Sequence, residues 1–502
     1  MKVPFSPPAG LVSDDTTFAT GGLWADGSNV RFWRGQAQVI GGWSEAFTEA
    51  LEGVCRGVRP WTDNAGSPNI AFGTHTKLYV NSEGGLFDIT PLTLLPGAEH
   101  GVPGPGYGAG AFGDGDYSAP SIDFYPRSWS FGNWGQSLLA CPRGDTLFWW
   151  QNDTATPAAQ VTQAPDFINS ILVTPERQVL AFGCNEESSG LINPMCIRGC
   201  DIEDLTTWTT ASDNNAFEHI LEGSGRIVAA RLLGAYVAVW TDGGLYLGQF
   251  IGQPGQTYRF DRVGDNCGLV GPDAVAIING VAYWIGPDYQ FRRWMPGASP
   301  EIIQCPIRRD FKNNIAESQK DKIAASTVSQ YGEVWWFYPD ERDGLENSRY
   351  VAVSTLEGTW FRGKMGRSAA CDAGVLGYPL AVTPTGQAFY HEIGESANGS
   401  ALEWFIQSAD QYVGDGQRFM MIRELWPDFE DQRGGVNLTI SARKYPQAQA
   451  TEKGPYTIAS DQSKKDLRVS GRVMAIRFAG ASNPSFVRFG KSQFDVVATG
   501  SK

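Results

Sequence analysis

Two successive copies of one sequence pattern occupy residues 227–294: IVAARLLGAYVAVWTDGGLYLGQF (227–250) and AVAIINGVAYWIGPDYQFRRW (274–294). Each copy places two short apolar strands around a tight turn, Asp242-Gly243 in the first and Asn279-Gly280 in the second. Asn-Gly between β-branched residues is a strong hairpin signal, because both central positions of a type I′ turn need a positive φ. A unit of short strands that recurs after roughly 45 residues is typical of a β-propeller blade.

The same plan recurs along the chain. Further apolar strands, each followed by a Gly or Asp turn and an aromatic strand, are expected at residues 70–72, 138–140, 179–182, 334–337 and 380–382. With the first two copies they predict an all-β protein with a propeller of roughly seven blades. No unit carries the Gly-His and Trp-Asp signature of WD40 repeats. The alternative is one or two large β-sandwiches, which also have short strands at regular spacing.

The propeller pattern occupies only the middle of the chain. We predict an extended N-terminal arm over residues 1–53, in which residues 23–27 form a turn. The propeller then spans 54–395, with a Gly/Pro-rich insertion at 95–120 that has too few apolar residues to order itself and is expected to be an exposed loop contacting a neighbouring subunit. Residues 396–502 are predicted to form a separate antiparallel β-domain.

That C-terminal domain has its own strand pattern. Met474, Ile476 and Phe478 alternate along one predicted strand, so one face of the strand is expected to be buried. Further strands are expected at 419–426, 436–442 and 486–497. A second domain of this kind provides docking surface that a closed propeller lacks, so we expect it to act as a platform for neighbouring subunits.

Composition excludes several classes of protein. The 502 residues carry 54 acidic and 40 basic side chains, a net charge of −14, which argues against a sequence-independent nucleic-acid coat. The longest apolar runs are strand-length, well short of the roughly 20 residues of a membrane helix, so we expect no membrane insertion by this chain. The first ten residues, MKVPFSPPAG, lack the apolar core of a signal peptide.

Both ends of the chain resemble a known family. SNVRFWRGQAQVIGGW (28–43), the following GVCRGVRPWTDNAGSPNIAFGTHTKLYVNSEGGLFDITP (53–91) and the closing GRVMAIRFAGASNPSFVRFGKSQFDVVATG (471–500) resemble the corresponding parts of bacteriophage tail proteins. In that family an Asn-Val-Arg-Phe strand leads to Gly-Gly-Trp and then to a first strand pair. The resemblance covers roughly the first 90 and the last 30 residues, and the middle matches in plan only.

This resemblance implies a structural virion protein: the tail nozzle or tail hub of a short-tailed phage, made in the host cytoplasm. It implies a homo-oligomeric ring, a hexamer, below the adaptor and portal, with tail fibres as further partners. DNA is expected to pass through the ring without tight binding. Six acidic copies would carry a charge of roughly −80, which repels the phosphate backbone from the lumen.

No set of residues in the sequence has the spacing of an active site. The four histidines, His75, His100, His219 and His391, are scattered. Cys196 and Cys200 are four residues apart, but no nearby ligands complete a zinc site. We therefore predict no enzyme activity, no catalytic residue, no cofactor and no metal. The cysteines, expected to be buried reduced thiols, are at positions 55, 141, 184, 196, 200, 267, 305 and 371.

Three short motifs resemble functional sites, but for each the sequence favours a structural explanation or a chance match. Arg143-Gly144-Asp145 has the residues of a hairpin turn rather than of an adhesion site. The Gly108–Gly113 stretch matches a dinucleotide fingerprint in spacing only, because no strand precedes it and no helix follows. Residues 354–360, SxxxGTW, approach the Asp-box of sialidase propellers but lack its Asp. The alternative function that this last motif leaves open is a carbohydrate-binding or glycoside-hydrolysing propeller.

Overall fold

The chain folds as an all-β protein built from a seven-bladed propeller and a second β-domain. A computed structural model describes residues 1–102, 125–223, 225–412, 416, 418–480 and 482–500. Within these ranges the strands form ten sheets, of which seven are propeller blades and three belong to the second domain. The sequence prediction of a propeller with roughly seven blades is confirmed, and the sandwich alternative is wrong for this part of the chain.

The blades follow one another in chain order, and each consists of strands that pair antiparallel with the strand before. Blade 1 contains Cys55–Thr62, Pro68–Thr74, Leu78–Ser82 and Gly85–Asp88; blade 2 contains Trp129–Trp134, Ser137–Pro142, Phe148–Trp150 and Ala159–Gln160; blade 3 contains Ser170–Val173, Val179–Phe182, Cys196–Gly199 and Phe217–Ile220; blade 4 contains Ile227–Leu233, Tyr236–Thr241, Gly244–Gln253 and Gln256–Asp265.

The remaining blades keep the same order. Blade 5 contains Val275–Ile278, Val281–Ile285, Phe291–Trp294 and Glu301–Ile303; blade 6 contains Ala324–Val328, Glu333–Pro339, Asn347–Ser354 and Trp360–Lys364; blade 7 contains Ala369–Cys371, Leu380–Val382, Ala388–His391 and, from the start of the chain, Trp43–Glu45. A small hairpin, Ser396–Ala397 with Ser400–Ala401, extends blade 7.

Each blade buries both of its faces against its neighbours. In blade 2, Leu138 and Ala140 pack into a core shared with blade 1, whereas Leu139 and Cys141 pack into a core shared with blade 3. Successive side chains of a strand point to opposite faces, so a strand between two blades must be apolar at every position. This is why the middle strands of the blades read as continuous apolar runs instead of alternating with polar residues.

Both predicted hairpin turns are present, and the two differ from each other in backbone geometry. Asn279 and Gly280 have φ values of 52° and 74°, as a type I′ turn requires. The Asp242-Gly243 turn also connects two paired strands. There the hydroxyl of Thr241 accepts hydrogen bonds from the main-chain N–H groups of Gly243 and Gly244, at 3.2 and 2.8 Å.

The start of the chain closes the propeller ring. In blade 7, Trp43, Ser44 and Glu45 pair with His391, Tyr390 and Phe389, in that order. The first three strands of this blade come from residues 369–391, so the outermost strand is separated from them by more than 300 positions in sequence. Blade 7 therefore connects the two ends of the propeller segment.

The second domain is formed jointly by both ends of the chain, and we call it the terminal β-domain. It contains three sheets. The strand order of the first sheet is Lys2–Phe5, Ser492–Ala498, Met420–Trp426 and Lys465–Gly471, and that of the second is Trp24–Ser28, Trp404–Ser408, Val473–Gly480, Val436–Arg443 and Thr451–Ile458. The strand order of the third sheet is Val30–Trp33, Gln36–Val39, Phe486–Phe489 and Phe429–Arg433. As predicted, Met474, Ile476 and Phe478 are buried.

The predicted N-terminal arm needs two corrections. Residues 23–27 were expected to form a turn, but Trp24–Ser28 is a strand that pairs with Trp404–Ser408. The first 53 residues are also not a separate unit, because residues 2–39 contribute four strands to the terminal β-domain and residues 43–45 belong to the propeller. Both errors have one cause: the partner strands lie hundreds of residues away, and local sequence carries no sign of them.

Helices are short in the described part of the chain. They are the α-helix Arg308–Asn314 and the 3-10 turns Glu317–Lys322, Ser329–Tyr331 and Gly374–Leu376. None of these helices has the length or the apolar character to cross a bilayer. Of the predicted Gly/Pro-rich insertion at 95–120, residues 103–120 lie outside the described residues.

The link between the two domains is crowded at Gly42. A Cβ atom at this position would lie 2.6 Å from the main-chain nitrogen of Ser396 and 3.0 Å from the carbonyl oxygen of Ile393. We predict that Gly42→Ala lowers the stability by about 1–3 kcal/mol, because backbone atoms must move to admit the methyl group. Chemical unfolding followed by tryptophan fluorescence measures the change.

Gly243→Ala is the matched control. A Cβ atom there meets nothing within 4 Å, and the residue does not have a positive φ. Its stability should stay the same or rise by up to about 1 kcal/mol. Equal effects of the two substitutions would contradict the close approach at Gly42.

Candidate functional site

The stretch that carries the family resemblance forms the joint between the two domains. Val30–Trp33 and Gln36–Val39 form a hairpin, with Arg34 and Gly35 in its turn at φ values of 53° and 75°. The main-chain N–H groups of this turn donate to the carboxylate of Glu357, which lies in a loop of blade 6. These hydrogen bonds attach a hairpin of the terminal β-domain to the propeller.

Arg31 is the central side chain of this joint and has no exposed surface. Its Nε lies 2.9 Å from Oε1 of Glu333 in blade 6. Its two terminal nitrogens each donate to Glu392, just after the third strand of blade 7, at 2.7 Å. The guanidinium carbon also lies 3.8 Å from the ring centre of Tyr331. One side chain of the terminal β-domain therefore contacts two blades of the propeller.

Arg31, Glu333 and Glu392 form an ion triad. Its charges do not balance, since one guanidinium faces two carboxylates. Burial alone would lower the pKa of Arg31, but Glu333 and Glu392 together raise it above its ordinary value. Burial raises the pKa of the Glu333 carboxyl to about 7, although Arg31 acts in the opposite direction. Protonation of Glu333 would leave a neutral buried pair of Arg31 and Glu392.

Other residues of the same stretch also make specific contacts. Asn29, at a φ of 57°, donates from its amide to the carbonyl of Glu403 at 2.9 Å, and its amide oxygen accepts from the hydroxyl of Tyr350 at 3.2 Å. The main-chain N–H of Gly41 donates to Glu392 at 3.1 Å. The Asn-Val-Arg-Phe and Gly-Gly-Trp elements are thus structural, because they position the joint.

The channel through the propeller is a second candidate site. It is a cavity of about 570 Å³ lined by the innermost strands of all seven blades. The charged residues that line it in the described part of the chain are Arg56, Arg59, Arg231 and Asp273. Arg56 donates to the carboxylate of Glu346 at 2.7 and 2.8 Å, and Arg231 donates to Asp273 at 3.0 Å.

A cluster near the start of blade 1 has a metal-like set of ligands. Ligand atoms of Glu99, His100 and Glu346 lie within 4.8 Å of one another. However, the Nζ of Lys322 lies 2.6 Å from Glu346 and 2.7 Å from His100, and Arg56 also binds Glu346. Two cations already occupy the side of the carboxylate that a metal would need, so this donor set fits a network of ion pairs better than a metal centre.

Burial and then the Arg56 charge lower the pKa of Lys322 to about 8. The carboxylate of Glu346 offsets part of this effect. Lys322 has no exposed side-chain surface, and it also donates to the carbonyl of Leu345 at 2.8 Å. Its surroundings therefore satisfy the ammonium group with hydrogen bonds inside the fold.

The structure leaves the four histidines apart. The Nδ1 of His75 accepts from a main-chain N–H at 2.9 Å, and His219 packs on an aromatic ring 5.3 Å away. His391 is half-buried, and its Nε2 accepts from Nε of Arg367 at 2.9 Å. Burial, and secondarily the Arg367 charge, lowers the pKa of His391 well below its ordinary value. His100 lies in the cluster with Glu99 and Glu346 described above.

The cysteines are free thiols, and seven of the eight are buried, as predicted. The thiol of Cys196 interacts with that of Cys184, and this contact together with burial raises the pKa of Cys196 above its ordinary value. Burial raises the pKa of Cys200 to about 12. Both thiols pack in the core between blades 2 and 3, in their protonated form.

The short motifs occupy turns. Arg143-Gly144-Asp145 follows the second strand of blade 2, with Gly144 at a φ of 75°, which confirms the turn prediction. The Arg143 side chain is buried and pairs with Asp321 at 3.2 Å, so the motif does not present an arginine to solvent. The Asp-box-like stretch is the turn between Asn347–Ser354 and Trp360–Lys364. The Gly108–Gly113 stretch lies outside the described residues.

Sequence reasoning missed the groups that the tertiary structure makes important. Arg31 stands between apolar residues in the strand Val30–Trp33, and Arg231 stands between apolar residues in Ile227–Leu233. A charged residue inside an otherwise apolar strand is a signal of a buried ion pair or of a cavity, since an unpaired buried charge is costly. That signal does not identify the partner residues.

Comparison with known proteins adds no relative by sequence, since no protein-family profile and no curated protein matches the chain. Similar solved structures include virginiamycin B lyase from Staphylococcus aureus, with 8% sequence identity, a TM-score of 0.41 and coverage of 68% of this chain and 95% of that one. A catalytically inactive variant of that enzyme with quinupristin has 8% identity, a TM-score of 0.39 and coverage of 69% and 97%. Neither likeness bears on the chemistry of this chain.

The buried triad predicts a large effect of removing Arg31. Arg31→Met should lower the stability by about 3–5 kcal/mol, because two carboxylates would remain in the joint without a counter-charge. Arg34→Asn, in the turn of the same hairpin, removes an exposed side chain and keeps a residue type that tolerates a positive φ, so its effect should stay within about 0.5 kcal/mol. Urea unfolding of both variants tests this, and similar midpoints would contradict it.

The raised pKa of Glu333 predicts a pH dependence of stability. A carboxyl whose pKa is about 7 in the folded protein, and near 4.5 when unfolded, holds its proton more tightly in the folded state. Wild-type protein should therefore lose stability as the pH rises from about 4.5 to about 7, by at most about 1.4 kcal/mol per pH unit from this group. Glu333→Gln should lose less over the same window.

Unfolding midpoints measured across this pH window, with wild type beside the variant, report the difference. Glu403→Gln, at an exposed side chain, is the control and should follow the wild-type profile. Parallel profiles for wild type and Glu333→Gln would show that the pKa of Glu333 is not raised by folding.

Proposed function

We propose that this chain is a structural subunit of a virion tail: the nozzle or hub of a short-tailed bacteriophage, through which DNA is ejected. The observation that carries the proposal is the joint. The sequence stretch that resembles the phage tail proteins, residues 28–43, is the same stretch that buries Arg31 between Glu333 and Glu392. The resemblance thus lies in residues with a specific architectural role, and this supports the proposal.

A joint of this kind suits a subunit that transmits force. Domains of one chain commonly move relative to each other unless their interface is large and apolar. Here one hydrophobic core includes Phe32 and Phe478 of the terminal β-domain together with Trp284 and Trp336 of blades 5 and 6. A ring subunit through which DNA passes under pressure needs its two domains held at a constant angle.

The terminal β-domain gives such a subunit a surface for its neighbours. Its strand Thr451–Ile458 is at the edge of a five-stranded sheet, and residues 451–455 are all exposed. An exposed sheet edge offers unpaired main-chain groups to another chain. In the proposed ring, adjacent subunits, the adaptor or portal-side proteins, and tail fibres would contact this domain and the outer strands of the blades.

The charge of the chain fits passage of DNA without binding. At −14 per chain, a ring of six copies carries a charge of roughly −80, and an acidic lumen repels the phosphate backbone. The channel of a single propeller is a separate feature from the lumen that several copies would enclose.

Assembly is the direct test of the proposal. Full-length protein, alone and with its tail adaptor, should form a closed ring when its mass is measured by native mass spectrometry and analytical ultracentrifugation, and particles that contain it should show the ring in the tail by electron microscopy. A strictly monomeric protein inside an assembled particle would contradict the ring. Turnover of sialosides or other glycans by the purified chain would favour the carbohydrate-active alternative.

Duplex DNA gives an independent readout. The isolated protein should show no saturable binding of a fluorescent duplex at physiological salt, measured by anisotropy, because it lacks the excess of basic side chains that counterion release requires. Binding below micromolar concentration that weakens with added salt would contradict an acidic lumen.

A further inference from the structure

The propeller channel holds a cation that has no counter-charge among the described residues. Arg59 lies on the innermost strand of blade 1, and its side chain is open to the channel. Its Nε donates to the amide oxygen of Asn133 at 3.2 Å. Every other charged residue of the channel wall has a carboxylate or guanidinium partner, whereas no described carboxylate lies within ion-pair distance of Arg59.

The surroundings of Arg59 make its charge unfavourable. The channel wall around Arg59 partly withdraws it from bulk water, which lowers its pKa below the ordinary value, and the nearby Arg231 guanidinium lowers it further. Arg231 itself belongs to blade 4 and is held in place by Asp273 and by the carbonyl of Pro272, at 3.0 and 2.9 Å. Two guanidinium groups from different blades therefore line one cavity, and Asp273 is the one carboxylate among its described lining residues.

The two terminal nitrogens of Arg59 have the geometry to hold an anion. A guanidinium presents parallel N–H groups that match two oxygens of a carboxylate or a phosphate. Arg59 lines the channel and its side chain is exposed there, so an anion in the channel can reach the guanidinium. Asn133, the hydrogen-bond partner of the Arg59 Nε, also lines the cavity.

We propose that the propeller channel binds a small oxyanion between Arg59 and Arg231. Two acceptor oxygens of the anion would take the terminal N–H groups of Arg59, and its charge would offset the positive field of the two guanidinium groups. The cavity of about 570 Å³ admits an inorganic phosphate or a small carboxylate. This inference does not depend on the proposed role in a virion.

The test uses the full-length protein and two probes, sodium phosphate and sodium acetate, with sodium chloride at matched ionic strength as the reference. Wild-type protein should bind phosphate saturably by isothermal titration calorimetry, and its unfolding temperature should rise with phosphate concentration. Arg59→Gln should weaken the binding about tenfold or more, because it removes the charged donors. Saturable binding of acetate as well would identify carboxylates as a second source of the same chemistry, and both results support the site.

Arg259→Gln is the matched control, since Arg259 lies on the outer strand of blade 4 with 58% of its side chain exposed and loses the same charge. It should bind phosphate as wild type does. Without phosphate, Arg59→Gln should unfold at no lower temperature than wild type, because it removes a cation that lacks a counter-charge. Equal phosphate binding by wild type and Arg59→Gln, or no saturable binding of either probe by wild type, would overturn the proposal.

Discussion

The buried contact of Arg31 with Glu333 and Glu392 is the interaction on which the arrangement of the two domains depends. Removing three charges from water is costly, and the cost is offset only where the geometry supplies short hydrogen bonds on all sides. Here the guanidinium is shared between blades 6 and 7, with a tyrosine ring against its face. Because such a contact tolerates little displacement, it fixes the position of the hairpin and therefore of the terminal β-domain. Apolar packing around it supplies stability, whereas the ion triad supplies the specific orientation.

Closure of the propeller and attachment of the second domain are coupled through a few residues. The hairpin strand Gln36–Val39 belongs to the terminal β-domain, and Trp43–Glu45 completes blade 7, so only residues 40–42 separate the two roles. Gly41 donates to Glu392, and Gly42 has no room for a side chain. A change that displaces this link acts on the ring and on the joint together. The continuous core from the terminal β-domain to blades 4–6 has the same consequence, since neither part buries its apolar surface alone.

The electrostatics of the protein differ between its interior channel and its surface. The chain as a whole is acidic, yet the charged residues among the described lining of the channel are three arginines and one aspartate. Among the described residues, Arg56 and Arg231 have carboxylate partners, whereas Arg59 has none. An acidic exterior disfavours nucleic acid, while a local positive field in a narrow cavity favours a small anion. These two properties are compatible because they act at different distances. The net charge acts on a nucleic acid outside the molecule, whereas the guanidinium of Arg59 acts on a small anion within the channel.

Local sequence determined the repeating part of this protein. The Asn279-Gly280 turn, the apolar runs such as Val179–Phe182 and the period-two pattern of Met474, Ile476 and Phe478 depend on neighbouring residues, so hairpins, the all-β class and roughly seven blades could be predicted. What the tertiary structure alone decided involves partners far apart in the chain. The local sequence of Trp24–Ser28 favours a turn, but pairing with Trp404–Ser408 makes it a strand. Arg31 lies 302 and 361 positions in sequence from the two glutamates that bind it. The position of Arg59 beside Arg231, with no carboxylate partner among the described residues, is likewise a property of the channel that seven blades form. No local pattern encodes such contacts, because the free energy that selects them comes from burial and charge pairing between segments that meet only in the folded chain.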